Sequence, residues 1–198
     1  MISHVAITLT TMTAAVSKTT SLEAFLQLPE TTPASEYIDG QIIQKPMPKG
    51  RHSSLQGELC THINQKSKAS KSAYAFPELR CTFGGRSIVP DVAVFKWQNI
   101  PFDENGQVLD NFNRAPDWMI EILSPEQKSN RVIGNLLHAL RHGTQIGWFI
   151  EPDDLSILVL TPQQLPVLMT GSDRLPTLSE VDIELSVSEV FSWLSLGL

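Results

Sequence analysis

Apolar residues fall into short runs separated by turn-forming residues along this 198-residue chain. Two runs are continuous enough to predict buried β-strands, PDVAVF at 90–95 and WMIEIL at 118–123. Apolar residues at helical spacing predict one helix over 52–65 and a second over 126–142. Two further apolar runs predict strands over 147–150 and 156–160.

Shorter elements surround these segments. Ser21 can cap a helix that Pro29 ends, and Asp39-Gly40 is typical of the two-residue turn of a β-hairpin. The remaining predicted elements are a helix over 21–28, a hairpin over 36–45, strands over 72–76 and 78–83, a loop over 97–114 and a helix over 187–194. The order of strands, helix and further strands predicts an α/β (α+β) fold, with helices packed on one curved mixed sheet.

The length is sufficient for one buried core, so we expect a single domain over 20–198 after a loose N-terminal extension over 1–19. No apolar stretch approaches the roughly 20 residues that span a bilayer. The first basic residue, Lys18, comes too late for the start of a secretory signal, and a cytoplasmic location is expected. Cys60 and Cys81 lack metal-site spacing and are expected to be small buried residues in a reducing compartment.

The charge is unevenly distributed. The chain carries a net charge of -6, yet the segment 45–86 holds eight basic residues and two acidic ones. Such asymmetry can mark a surface that faces nucleic acid on an otherwise acidic protein. The alternative is a solvated helix face that carries Lys66, Lys68 and Lys71.

Two acidic residues interrupt the apolar strands. Asp91 stands at the head of one strand and Glu121 lies inside the other. Burying a carboxylate costs several kcal/mol unless it is paired or binds a cation. If the two strands are neighbours, both carboxylates can converge and offer the oxygen ligands that Mg²⁺ prefers. Alternatively, each acid accepts hydrogen bonds from the backbone or pairs with an internal arginine such as Arg80.

Five segments together resemble the Uma2 family, whose members are described as restriction endonucleases and are common in cyanobacteria. They are EYIDGQIIQKPMP at 36–48, HSSLQGEL at 52–59, PDVAVF at 90–95, PDWMIEILSP at 116–125 and GTQIGWFIEP at 143–152. The resemblance covers roughly 20–198. It implies a restriction-endonuclease-like fold of the PD-(D/E)XK superfamily, a mixed β-sheet flanked by helices. It also implies that Asp91 and Glu121 bind Mg²⁺ or Mn²⁺ and that the reaction is phosphodiester hydrolysis.

The chain departs from this pattern at the superfamily's lysine. The position two residues after the second acid holds Leu123. In Uma2-like sequences a lysine on the following helix takes its place, and the position that aligns with it here is Asn135. Asparagine can hold a water but supplies no charge. Arg131, on the same helix face, is the first candidate for that charge and Lys128 the second; the alternative is that both are solvated.

Other residues are candidates for the same site. His52 and Gln56 are four residues apart on one helix and are expected to face one cleft, where the histidine would contact phosphate or act as a base. The alternative is a solvated residue at a helix start. Glu78 is a candidate third metal ligand, and its alternative is a salt bridge to Arg80 or Arg86.

A zinc site is not expected at His138 and His142. Their spacing is that of a zinc protease, but Ala139 stands where such a protease carries its glutamate. Trp118 and Trp148, like Trp193, are expected in the core.

The sequence therefore predicts a Mg²⁺-dependent endonuclease, a hydrolase that acts on phosphodiester bonds in DNA. The metal ligands would be Asp91, Glu121 and Glu78, and the assisting residues Arg131, Asn135, His52 and Gln56. The alternative is a weak or inactive protein with the nuclease fold that binds nucleic acid or a protein partner. Cleavage of both strands needs two active sites or two visits by one site, and a homodimer would supply the two sites.

Overall fold

The computed structural model describes residues 20–125, 127–195 and 197. The predicted N-terminal extension lies outside these residues. The helices are α1 (Leu22–Phe25), α2 (Gly50–Ser67), α3 (Ser129–Arg141) and α4 (Val187–Ser192). The strands are β1 (Ser35–Ile38), β2 (Gln41–Gln44), β3 (Ala73–Pro77), β4 (Cys81–Phe83), β5 (Arg86–Ile88), β6 (Val92–Lys96), β7 (Trp118–Ile122), β8 (Ile146–Glu151), β9 (Ser156–Leu160) and β10 (Val167–Thr170).

The predicted mixed sheet flanked by helices is present. It has six strands in the order β10-β9-β8-β7-β6-β3, with β7 and β8 parallel and the other pairs antiparallel. The expectation of a single sheet is corrected, because β2, β1, β5 and β4 form a separate antiparallel sheet. Two hairpins join there by pairing Tyr37 with Ser87, a long-range contact that local patterns do not encode.

Local signals placed several elements correctly. Asp39 and Gly40 both have positive φ, as the predicted two-residue hairpin turn between β1 and β2 requires. The Ser21 side chain accepts a hydrogen bond from the backbone N–H of Ala24 and caps α1, which ends four residues later at Phe25. The predicted helix over 52–65 is α2, which extends past both predicted ends. β10 was not predicted.

Helices cover the six-stranded sheet on both faces. Leu55, Leu59 and Ile63 of α2 pack on one face together with residues of α4, and α3 packs on the other. Strand residues alternate between these two cores, so that Val92 faces α2 and Ala93 faces α3. A sheet buried on both faces explains why its strands read as continuous apolar runs.

Both cysteines are buried and unpaired, as expected. Burial raises the pKa of the Cys60 thiol to about 11 and that of Cys81 to about 12. Trp118 and Trp148 are fully buried and contact each other edge to face. No helix in the described part of the chain is both long and apolar enough to cross a membrane.

We expect Gly84→Ala to destabilise the protein more than Gly85→Ala. Both glycines have positive φ, which costs an alanine about 1 kcal/mol. A Cβ at Gly84 would also lie 2.3 Å from Nε2 of His142, and that ring packs against Phe83 and hydrogen-bonds the backbone of His138. Moving the ring adds about 1 kcal/mol. Chemical denaturation of both variants measures the difference, and equal losses of stability would show that this contact is unimportant.

Candidate active site

The two predicted acids meet at one end of the six-stranded sheet. β6 and β7 are antiparallel neighbours, and Val92 pairs with Ile120, which places Asp91 opposite Glu121 in the same register. The alternation along β7 directs Glu121 to the face covered by α3, whereas Asp91 lies just before β6, at the end of the sheet, where its side chain contacts His52 of α2. The side chains of Asp91 and Glu121 are 1% and 3% exposed. The structure thus brings the two carboxyl groups together at this end of the sheet.

Asp91 is surrounded by donors. Its Oδ1 lies 2.7 Å from Nζ of Lys45. Its Oδ2 accepts a 2.7 Å hydrogen bond from the backbone N–H of Ile122 and lies 3.1 Å from Nε2 of His52. Burial alone would raise the pKa of Asp91, but Lys45 and His52 outweigh it and hold the pKa well below its usual value. Asp91 is thus ionised at neutral pH.

Glu121 has the opposite character. Its Oε1 is buried and receives no hydrogen bond from any donor in the described ranges. Burial raises the pKa of Glu121 well above its usual value; Lys45 opposes this, while the charges of Asp91 and Glu36 and a side-chain hydrogen bond with Asp91 add to it. The Glu121 carboxyl group therefore binds a proton more readily than an ordinary glutamate, while Asp91 binds one less readily. An unsatisfied buried oxygen costs about 1–3 kcal/mol.

Sequence reasoning missed two members of this cluster, Lys45 and Glu36. Lys45 directly follows β2, where its backbone N–H donates to the carbonyl oxygen of Ala34 and its Nζ donates to that of Val89 at 2.7 Å. Burial alone would lower the pKa of Lys45, but the carboxyl groups of Asp91, Glu121 and Glu36 together raise it.

Glu36 lies on β1 and is buried beside the same groups. Its Oε1 accepts a 2.9 Å hydrogen bond from the backbone N–H of Val89. Burial raises the pKa of Glu36, although Lys45 and this hydrogen bond oppose the shift. The available signal was an acidic residue in a hairpin strand whose neighbours Tyr37 and Ser35 are buried. Recognising it required the docking of that hairpin against the six-stranded sheet.

His52 and Gln56 are both buried, and both contact Asp91. Nε2 of His52 contacts the Asp91 carboxylate, and Nε2 of Gln56 donates to the backbone carbonyl of Asp91 at 2.8 Å. The alternative of a solvated histidine is wrong. Nδ1 of His52 is buried and has no partner within the part of the chain that the structure describes.

Glu78 is not gathered with the other acids. It has a φ of 46°, its side chain is exposed, and its backbone N–H donates to the carbonyl oxygen of Asp91. The alternative pairing is also wrong, because Arg80 pairs with Glu30 and Arg86 with Asp39. Over residues 20–125, 127–195 and 197, no three His, Cys, Asp or Glu side chains form a group suited to hold a metal ion.

α3 and the residue before it carry three further candidates. Asn135 is buried, and its Oδ1 lacks a partner among the described residues. Arg131 is partly exposed, and its charge acts on the buried Glu36 by lowering the pKa of that carboxyl against the effect of burial. Lys128 is exposed just before the helix. Of the two candidates for a positive charge, Arg131 is thus the one linked electrostatically to the acid cluster.

The remaining histidine pair, His138 and His142, packs against Phe83. His138 is buried with its ring stacked on Phe83, and its Nε2 lies 3.2 Å from the carbonyl oxygen of that residue. Nδ1 of His142 lies 2.8 Å from the carbonyl oxygen of His138.

A cavity of about 210 Å³ adjoins Asp91. Lys45, His52, Glu78 and Asp91 line it, together with the segments 31–34 and 46–48 and the side chains of Val89, Ser124 and Gln127. At about 30 Å³ per water it has room for several water molecules or a phosphate group. A second cavity, of about 350 Å³, shares His52 and contains Leu123 and the first turn of α2.

The basic segment does not form one surface around this cavity. Lys45, Arg51, Arg80 and Arg86 each pair with a carboxylate. The exposed Lys66, Lys68 and Lys71 lie at the far end of α2, about 20 Å from His52 at 1.5 Å per residue. The alternative of a solvated helix end is therefore the better description of these three lysines.

Comparisons with known proteins agree with the resemblance seen in the sequence. The Uma2 family, described as putative restriction endonuclease, matches residues 22–189. A solved structure, the 1.96 Å crystal structure of a putative nuclease belonging to DUF820 from Anabaena variabilis ATCC 29413, matches with a TM-score of 0.87. It is 50% identical, and the match covers 88% of this chain and 99% of that one. No curated protein matches.

We expect Glu121→Gln to stabilise the metal-free protein increasingly as pH rises. Because the folded-state pKa of Glu121 is raised above its unfolded value, stability is lost as pH rises from about 4.5 through the folded-state pKa. Glutamine mimics the protonated acid and escapes this loss, which we expect to reach roughly 1–2 kcal/mol by pH 8.

Urea denaturation between pH 5 and pH 8 in EDTA measures this effect. Glu58→Gln, at an exposed position of α2, is the matched control. A stability difference between Glu121→Gln and the unmodified chain that stays constant with pH would contradict the proton assignment.

Proposed function

We propose that this chain, which belongs to the Uma2 family, is a Mg²⁺-dependent endonuclease that hydrolyses phosphodiester bonds in DNA. The observation that carries the proposal is the pair of buried carboxyl groups, Asp91 and Glu121, of which Asp91 lines a cavity large enough for a phosphate group. The fold match to a protein described as a putative nuclease supports the reaction class.

The donor set fits Mg²⁺. This ion commonly binds through one or two carboxylates and completes its coordination with waters and phosphate oxygens. Asp91 and Glu121 supply the two carboxylates, and Glu121 Oε1 receives no donor from the described residues. The exposed Glu78 lies at the cavity and would act, if it contributes, from its rim. When bound, the metal would polarise the phosphate and lower the pKa of an attached water.

The chain's own residues then have distinct tasks. His52 and the backbone N–H of Ile122 fix the orientation of the Asp91 carboxylate, and Gln56 fixes its backbone. The ammonium group of Lys45 lines the cavity and can bind a phosphate oxygen. Arg131 adds positive potential through its proximity to the acid cluster, and Asn135 is assigned to hold a water with its unpartnered Oδ1.

We expect Asp91→Asn and Glu121→Gln each to abolish metal binding and to reduce DNA cleavage by roughly 100-fold or more, because each removes an oxygen ligand worth several kcal/mol. Calorimetry with Mg²⁺ and Mn²⁺ and nicking of supercoiled plasmid measure the two effects. Glu58→Gln again serves as the control. If both site variants cleave DNA normally, the assigned site is wrong.

A second candidate function is binding without cleavage. The ion pair of Lys45 with Asp91 favours it, because a permanent ammonium group at that carboxylate would leave the scaffold without a metal. This function predicts DNA retention that weakens with salt and is the same in EDTA as in Mg²⁺. Filter binding of a short duplex across a salt series distinguishes the two, since retention strengthened by Mg²⁺ and lost in Asp91→Asn supports the endonuclease.

A further inference from the structure

One positively charged side chain lies within the acid cluster. Lys45 is 11% exposed, and its Nζ is 2.7 Å from Asp91 Oδ1 and 2.7 Å from the carbonyl oxygen of Val89. Glu121 and Glu36 also act electrostatically on this ammonium group. Three buried carboxyl groups therefore interact with the same side-chain ammonium group, that of Lys45.

The same ammonium group lies against Asp91 Oδ1, the carboxylate oxygen that a metal ion at this site would bind. Asp91 Oδ1 faces Lys45, while Asp91 Oδ2 already accepts from the backbone N–H of Ile122 and contacts His52. A divalent cation bound to Asp91 would lie within a few ångströms of Nζ. At about 4 Å, even the interaction of two unit charges is worth several kcal/mol in a partly buried site. Metal and ammonium group are therefore strong competitors for this carboxylate.

The cavity next to Asp91 has room for the Lys45 side chain if it leaves the carboxylate. The backbone of Lys45 is fixed by its hydrogen bond to Ala34, but its side chain lines the cavity of about 210 Å³ next to Asp91. Rotation of the side chain alone can carry Nζ from the carboxylate into that cavity. The displaced ammonium group would then lie where a substrate phosphate is expected.

We infer that Lys45 is an exchangeable counter-cation, whose ion pair with Asp91 and the binding of a divalent metal at Asp91 and Glu121 exclude each other. This inference rests on the proposed function, because it assumes that the acid pair is the metal site. It goes beyond that function by giving Lys45 a metal-free role distinct from its contact with phosphate.

Calorimetry with Mn²⁺, without DNA, tests the competition independently of cleavage. The variants are Lys45→Met and Lys45→Gln, and the control is Lys66→Met at the exposed end of α2. Removing the competing charge is expected to tighten Mn²⁺ binding by roughly tenfold or more in both Lys45 variants and to leave the control unchanged. The Mn²⁺-induced rise in melting temperature is also expected to be larger in the Lys45 variants.

The outcomes separate this inference from the function on which it rests. If the unmodified protein binds Mn²⁺ and the folded Lys45 variants bind it equally or more weakly, the inference about Lys45 is overturned. The assignment of the metal site then still stands. If the unmodified protein does not bind Mn²⁺, the proposed function fails and the inference fails with it.

A second measurement needs no variant and covers the case in which both Lys45 variants fail to fold. Acetylation by an amine-reactive ester, followed by mass spectrometry, reports how often each lysine is free. Mn²⁺ is expected to accelerate acetylation of Lys45 several-fold and to leave Lys66 unchanged. An unchanged rate at Lys45 under saturating Mn²⁺ would overturn the inference.

Discussion

The burial of acidic side chains at the junction of β6 and β7 is the constraint around which the other contacts of the site are arranged. Asp91 and Glu121 lie in a sheet covered by helices on both faces, so water cannot solvate them freely. Well-packed apolar residues usually stabilise such a position as well as, or better than, an ion pair does. Glu121 is the clearest case, since its Oε1 has no donor among the described residues. Stability alone does not account for a carboxyl group there.

Three otherwise separate parts of the fold are needed to satisfy this cluster. The six-stranded sheet supplies the acids, α2 supplies His52 and Gln56, and the small sheet supplies Lys45 and Glu36. The small sheet thus contributes to the site as well as to the core. Lys45, which directly follows its β1–β2 hairpin, carries the one ammonium group that contacts Asp91 within the described residues. Lys45 and Glu36 both bind the backbone of Val89. The carbonyl oxygen of Val89 accepts a hydrogen bond from Lys45, and its N–H donates one to Glu36.

Sequence patterns predicted the strands, helices and turns that local periodicity and short motifs determine. The strands that carry Asp91 and Glu121, the helix that carries His52 and the Asp39-Gly40 turn all have short-range signals. The position of Lys45 has none, since its partner is 46 residues away and is reached through a second sheet. The sequence instead predicts the positive charge on α3, at Arg131, because Asn135 stands at the position of the family's lysine. The prediction that Glu78 joins the other acids also failed for lack of a local signal. Its positive φ turns the chain at the end of a strand, and its side chain remains exposed.

Charge balance connects the raised pKa of Glu121 with the ammonium group of Lys45. Without metal, Asp91 is ionised, Glu121 has a raised pKa, and Lys45 neutralises the ionised carboxylate. On the proposed mechanism, a divalent cation replaces both of these positive charges, since Glu121 must release its proton to become a ligand and Lys45 must leave Asp91. The exchange leaves the buried cluster with the same net charge while moving an ammonium group into the substrate cavity. A site built in this way can hold its acids together without metal and still accept metal without an uncompensated charge in its interior.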